Sequence, residues 1–328
     1  MLVALTACGG EAISGVGPGT VDDATHKGSS GVPVSTSTVN ALAGARFWID
    51  PVSNARHTAD AWRATRPADA AEMDKIAAQP QVRWFGDWNA TISRDVDEAV
   101  STITTSGALP VFVAYNIPQR DCGGLSGGNS TSASAYRSWI SSFADGIGGR
   151  KAAVILEPDA LAGMDCLAPA DQQARIDLLS YAVQTLRAKG NILVYLDAGN
   201  PTWQSAATMA ERLTRAGLAS AQGFALNVSN FLSTPANVTY GEQIAALTGG
   251  KHFVIDTGRN GAGDNGDWCN PAGRALGERP STQTGQPLVD ALLWVKAPGE
   301  SDGACNGGSA SGEWMPEYAL GLAQRAGY

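Results

Sequence analysis

Short apolar runs at 46–49, 82–85, 109–115, 152–156, 192–196, 223–226, 253–255 and 291–295 alternate with longer segments of helical spacing. In 171–188, for example, Ile176, Leu179, Val183 and Leu186 recur along one helical face. Strand, helix, strand repeated this often predicts a parallel sheet, because parallel neighbours need a crossover long enough to hold a helix. About eight such units predict closure into a (β/α) barrel, and an open doubly wound sheet is the alternative. After residue 46 the sequence has no second domain boundary and no internal repeat.

The stretch ahead of this alternation is different. Residues 1–8, Met-Leu-Val-Ala-Leu-Thr-Ala-Cys, form an apolar run that ends in small residues and a cysteine. The run is too short to span a membrane and resembles the end of a bacterial lipoprotein signal, which makes Cys8 a candidate for lipidation. A remnant of a plain secretory signal is the alternative. Residues 9–45 are rich in Gly, Ser, Thr and Val with no sustained period, which predicts a flexible tether, and 46–328 form the remaining domain.

The net charge of −8 argues against nucleic acid or an anionic membrane surface as a partner, since both require a basic footprint. A neutral partner, no cofactor and a monomeric chain are the expectations, with membrane contact only through a lipid on Cys8. The three histidines, His26, His57 and His252, are far apart in sequence, so no histidine metal site is expected. With Cys8 set aside, Cys122, Cys166, Cys269 and Cys305 remain for two bridges in an exported protein, or for four free thiols in a cytosolic one. The signal-like start favours export, at the cell surface or free of it.

In Ile155-Leu156-Glu157-Pro158-Asp159, Pro158 cannot donate to a sheet, so the strand stops and Asp159 is delivered at its C-terminal mouth. A plain helix-capping role for Asp159 is the simpler alternative. The same strand-end rim collects Tyr115, Asp121, Asp197, Asp256, Lys296, Glu300 and Asp302. Functional groups of a parallel barrel sit at this end. Gathered carboxylates raise one another's pKa, which keeps a carboxylic acid protonated near neutrality. Trp84, Trp203 and Trp268 on the same rim suit a sugar, which offers an apolar face to stack and hydroxyls to bond. Each tryptophan alone is as readily explained by core packing.

Two shorter motifs lead elsewhere. Gly124-Leu125-Ser126-Gly127-Gly128 fits G-x-S-x-G, with Asp197 and His252 following in a workable order, but Ser126 lies well past the strand that such a serine should end. Gly261-Ala262-Gly263-Asp264-Asn265-Gly266 fits G-x-G-x-x-G, but no helix start follows it.

Segment 113–122, Val-Ala-Tyr-Asn-Ile-Pro-Gln-Arg-Asp-Cys, and segment 155–161 resemble the two signature segments of glycoside hydrolase family six, the inverting cellulases. Segments 195–199, 255–261, 267–271 and 294–303 are similar to its later blocks, in the same order. This resemblance implies a distorted, TIM-like parallel (β/α) barrel that cleaves β-1,4-glucan in a cleft over the strand ends. It implies Asp159 as general acid, Asp121 as the group that keeps that acid protonated and joins the base relay, and Tyr115 against the ring at the cleavage point. Asp302 matches the proposed base, acting through water, and Asp197 a further aspartate of the cleft. Trp84, Trp203, Trp268, Lys296 and Glu300 match sugar-binding positions, and Ser126 falls in a loop that is mobile in the family. The bridges implied are Cys122 with Cys166 and Cys269 with Cys305. Asn200 departs from the family, standing where members commonly carry histidine and weakening one sugar contact. Short segments after Cys269 and Cys305 leave little chain to roof a tunnel, so endo action is expected over exo action. A sugar-binding lipoprotein that has lost catalysis is the competing class, but it would not need Asp121, Asp159 and Asp302 together.

Overall fold

The computed structural model describes residues 39–128 and 132–328; the signal-like segment with Cys8 and residues 9–38 lie outside them. Seven of the eight apolar runs become strands: β1 (Arg83–Gly86), β2 (Val111–Tyr115), β3 (Ala152–Leu156), β4 (Ile192–Asp197), β5 (Gly223–Leu226), β6 (His252–Asp256) and β7 (Val289–Leu293). They pair in sequence order and every pair is parallel. The expected strand at 46–49 is reduced to one bridge, Phe47 with Leu109. The last strand begins two residues earlier than expected. Its ladder to β6 runs from Val289 to Leu293, after which Trp294 and Val295 turn towards β1.

No ladder joins β1 to β7. The Val82 N–H donates to the Trp294 carbonyl at 3.0 Å and Trp84 Nε1 donates to the Val295 carbonyl at 2.7 Å, and these two bonds stitch the seam. The distorted barrel expected from the sequence is therefore present, with seven strands and an unpaired seam.

Strand alternation sorts the core. Val113, Ile155, Tyr195, Ala225, Val254 and Leu293 fill the barrel interior, while Phe112, Val154, Leu156, Leu196, Phe224 and Ile255 face the helices. Those helices are α1 (Asn54–Trp62), α2 (Pro67–Ala77), α3 (Ile92–Thr105), α4 (Ala133–Ile147), α5 (Pro169–Arg187), α6 (Ala206–Arg215), α7 (Thr234–Leu247) and α8 (Pro316–Gln324). The starts are written locally. Ser53, Ser132 and Ser205 accept the N–H groups of Arg56, Ala135 and Thr208, while α2, α5, α7 and α8 begin with proline near N1. Phe112 meets Phe85 and Phe143 edge-on at 5.2 and 6.5 Å, contacts worth about 1 kcal/mol each beyond their buried area.

Residues 40–45 lie against the end of the barrel opposite the rim. Leu42 is fully buried in the interior cluster, and Asn40 Nδ2 donates to the Asp290 carbonyl at 2.8 Å. Beside it, His252 Nδ1 and the Tyr195 hydroxyl bond the two oxygens of Asp290 at 2.7 and 2.6 Å.

Candidate active site

The rim is built at the strand ends. Glu157 and Asp159 leave β3 with φ of +51° and +69°, values that non-glycine residues rarely adopt and that cluster at functional sites. The Asp159 N–H donates to Asp197 Oδ1 at 3.0 Å, and the same oxygen takes the Gly199 N–H at 3.0 Å. Asp197 Oδ2 is buried without a partner. Burial, reinforced by the charge of Asp256, pushes the Asp197 carboxyl up to about 7. Burial raises Asp159 well above the usual carboxylate range, and the charges of Asp197, Asp121 and Asp302 add to it. These surroundings favour the protonated form of Asp159.

Asp121 follows β2 at φ +51°. Its Oδ2 takes both the N–H and the hydroxyl of Ser126 at 2.9 Å, and the Tyr115 hydroxyl lies 3.0 Å from that same serine oxygen. Since Ser126 gives its one proton to Asp121, it accepts from Tyr115. Burial raises the pKa of the Tyr115 hydroxyl well above its ordinary value, so it stays protonated. Arg120 stacks on the Tyr115 ring at 4.4 Å, and Trp84 meets that ring edge-on at 5.4 Å. Asp121, Cys122, Asp159, Cys166, Arg175 and Trp203 line one cavity of about 300 Å³.

Trp203 is 41% exposed. Its ring sits over Gly163 and Gly199, where an added Cβ would come within 3.2 and 3.4 Å of the ring carbons. One face of the indole is therefore pressed to backbone and the other is free. The oxygen of Asn200 is occupied by its own loop, accepting the Thr202 N–H at 3.0 Å and the Thr202 hydroxyl at 2.8 Å.

Asp302 does not line that cavity. It is buried, with Arg259 Nη1 and Nη2 on its two oxygens at 2.9 Å each and the Asn270 N–H on Oδ2 at 3.0 Å. Lys296 Nζ donates to the Ser301 carbonyl at 3.0 Å and lies 3.9 Å from Glu300. Burial lowers the lysine pKa and raises that of Glu300. Trp268 is 57% exposed and also stands outside the cavity lining. Asp256 serves the scaffold: its carboxylate collects the N–H groups of Ser229, Gly258, Val295 and Lys296, which ties the ends of β5, β6 and β7 together.

Cys122 is bonded to Cys166 and Cys269 to Cys305. The serine-hydrolase constellation does not assemble, because Ser126 is committed to Asp121 while His252 lies at the opposite end of β6 on Asp290. No helix opens after the 261–266 glycines; the next is α8. Among the described residues no group of three or more His, Cys, Asp or Glu is placed to hold a metal.

Sequence reasoning gave no role to Arg259, Asn270, Arg120 and Arg175. Arg259 lay within a recognised block, and a buried arginine close to a cluster of carboxylates was the signal available there. Arg175 lies within a helical pattern and carried none.

The family model for glycosyl hydrolases family 6 matches residues 42–326. The chain belongs to this family. Endoglucanase A of Cellulomonas fimi is 47% identical over 283 residues, which are 85% of this chain and 61% of that protein. Endoglucanase 1 of Streptomyces halstedii is 47% identical over 285 residues, 83% of this chain and 87% of that one. The endoglucanase Cel6 of Mycobacterium tuberculosis, solved with methyl-cellobiosyl-4-deoxy-4-thio-β-D-cellobioside, superposes with a TM-score of 0.82 at 44% identity, over 87% of this chain and 99% of that one. In this family 6 glycosyl hydrolase the strand-end carboxylates and tryptophans thus occupy a barrel shared with endoglucanases.

Proposed function

We propose that this family 6 domain cleaves internal β-1,4-glucosidic bonds of cellulose or related glucans with inversion. The observation that carries the reading is the placing of Asp159 at the end of β3, its N–H on Asp197 and its side chain in one cavity with Asp121 and Trp203, where burial and neighbouring aspartates raise its pKa. Such a group delivers a proton to the departing glucosidic oxygen. Asp302, whose oxygens are fixed by Arg259, is the base that draws a proton from the attacking water. Tyr115 packs against the reacting ring, and the Tyr115–Ser126–Asp121 chain of hydroxyls orders the water around it. An inverting pair must leave room for that water, which suits carboxylates delivered by separate strands, Asp159 after β3 and Asp302 beyond β7.

Trp84, Trp203 and Trp268 provide stacking surfaces for flanking sugars, with Lys296 and Glu300 bonding hydroxyls. The endoglucanase relatives, and the thio-oligosaccharide bound by the M. tuberculosis protein, support a glucan substrate and endo action. The two disulfides fit an oxidising compartment, so export, free or anchored through Cys8, belongs to the same proposal.

NMR of the sugars released from a soluble β-1,4-gluco-oligosaccharide, recorded before mutarotation, tests the reading. Initial α-anomer is expected. Initial β-anomer would require a retaining pair and end the proposal, and binding without cleavage would make the domain a sugar-binding module.

A further inference from the structure

Among the described residues, positive φ at non-glycine positions is concentrated on the two segments that carry Asp121 and Asp159. Gln119, Asp121, Cys122, Glu157 and Asp159 all have φ between +49° and +69°, so five of the nine non-glycine residues at positive φ fall on these two short stretches. Backbone of this kind persists only where its surroundings over-determine it. Two buried side chains outside the proposed acid–base set supply that constraint.

Glu157 is 1% exposed. Its oxygens take the Asn116 N–H at 3.0 and 2.9 Å and the Ile117 N–H at 3.0 Å. Arg175, from the second turn of α5, is 3% exposed and grips the next two residues from their carbonyl side. Its Nη2 donates to the Pro118 and Gln119 carbonyls at 2.9 and 2.7 Å, and Nη1 reaches the Ala160 carbonyl at 3.3 Å. Four consecutive residues of the β2 loop, Asn116 to Gln119, are thereby held, two through N–H and two through C=O. Both side chains belong to the opposite wall: Glu157 lies two residues before Asp159 and Arg175 bonds the residue after it. No short-range contact within either loop would do this, and a hydrophobic substitute would leave buried N–H and C=O groups unsatisfied.

We infer that Glu157 and Arg175 are positioning residues that lock the Asp121 loop to the Asp159 turn and so fix the acid against its aspartate partner. The inference rests on Asp159 being the acid. Arg175 also lines the cavity beside Asp159 and Trp203, but its Nη1 and Nη2 are committed to backbone carbonyls, so the lock is expected to act on kcat more than on KM. Arg175→Lys keeps the charge but cannot reach three carbonyls from one planar fork. Glu157→Gln keeps one acceptor and turns an NH2 donor towards an N–H.

The experiment measures kcat and KM for Arg175→Lys, Arg175→Gln, Glu157→Gln and Asp159→Asn on cellotetraose and on 2,4-dinitrophenyl β-cellobioside, whose leaving group departs without a proton. For the three positioning variants we expect kcat on cellotetraose to fall about 10²-fold with KM within about twofold of the parent, and a much smaller loss on the dinitrophenyl substrate. Equal losses on both substrates, a loss carried by KM, or unchanged kcat would overturn the positioning role. Failure of all three variants to fold, Arg175→Lys included, would make both groups fold determinants and overturn it as well. If Asp159→Asn itself fails to separate the two substrates, the acid assignment falls; if it separates them and the positioning variants do not, only the lock is lost.

Discussion

Arg259 and Asp302 meet through two parallel bonds of 2.9 Å, with both side chains almost completely buried. The planar fork fixes the direction of the carboxylate as well as its charge. Removing the arginine leaves a buried carboxylate without its counter-charge, a change that costs about 3–5 kcal/mol. Arg259→Met is therefore expected to lower the denaturant midpoint strongly, and Arg259→Lys to retain much of the stability while losing activity through misorientation of Asp302. Chemical unfolding and kcat measured on the same samples check this, and an active, stable Arg259→Met enzyme would remove the pair from the site.

The pH profile has a defined sign. As the proposed acid, Asp159 would work only while protonated, so activity is expected to be lost as pH rises through its raised pKa. Asp121 is one of the charges that raise it. Asp121→Asn is expected to move the alkaline limb of kcat/KM to lower pH, beyond any fall in the plateau. The charge of Asp197 raises Asp159 as well, so the limb is expected to report both carboxyls. A limb that stays in place or moves upward in Asp121→Asn would contradict the arrangement.

Stability should move with pH through Glu157. Burial lifts its carboxyl from 4.5 to about 7 in the fold, despite the Asn116 and Ile117 N–H groups that oppose the shift. The folded protein therefore holds a proton that the unfolded chain has released, and this contribution is full below the unfolded value and lost as pH rises through about 7. The loss is about 3 kcal/mol over that window. Tm followed against pH should fall less steeply in Glu157→Gln than in the parent; parallel curves would mean that Glu157 is not buried as described.

The second bridge closes a 36-residue separation that includes Asn270 and Asp302. The chain-entropy estimate for such a loop is about 4 kcal/mol. Replacing Cys269 and Cys305 by serine should lower Tm by several degrees and weaken catalysis, because Asn270 and Asp302 are held by reciprocal bonds inside that loop. Loss of Tm with full kcat would separate the bridge from the site.

The flat face of Trp203 offers a simpler check. Trp203→Ala should raise KM for cello-oligosaccharides several-fold and spare kcat, as expected for stacking worth about 1 kcal/mol. Isothermal titration of an inactive Asp159→Asn background with and without the change reads the same contact directly.

The strands were legible because short apolar runs alternate with helical spacing, and Asp197 and Asp256 because they follow their runs directly. The run at 46–49 misled because Trp48 and Ile49 look like strand residues although only Phe47 finds a ladder partner. The Val295 position misled for the opposite reason: the chain stays apolar after β7 ends at Leu293, where Trp294 and Val295 cross the seam. Arg175 was invisible because its partners are carbonyl groups, which leave no mark in a sequence. Asp256 looked like a member of the catalytic rim, but four backbone N–H groups were waiting for it.

A barrel closed by ladders has its diameter set by strand number and stagger. Here the seam between β1 and β7 is held by Val82 and by an indole N–H from Trp84, one of the rings expected to meet sugar. Part of the closure is thus carried by a side chain and not by strand pairing. A substitution at Trp84, proposed above as a stacking surface, would therefore also remove one of the two bonds across the seam, so that a change aimed at sugar contact reaches the closure of the barrel.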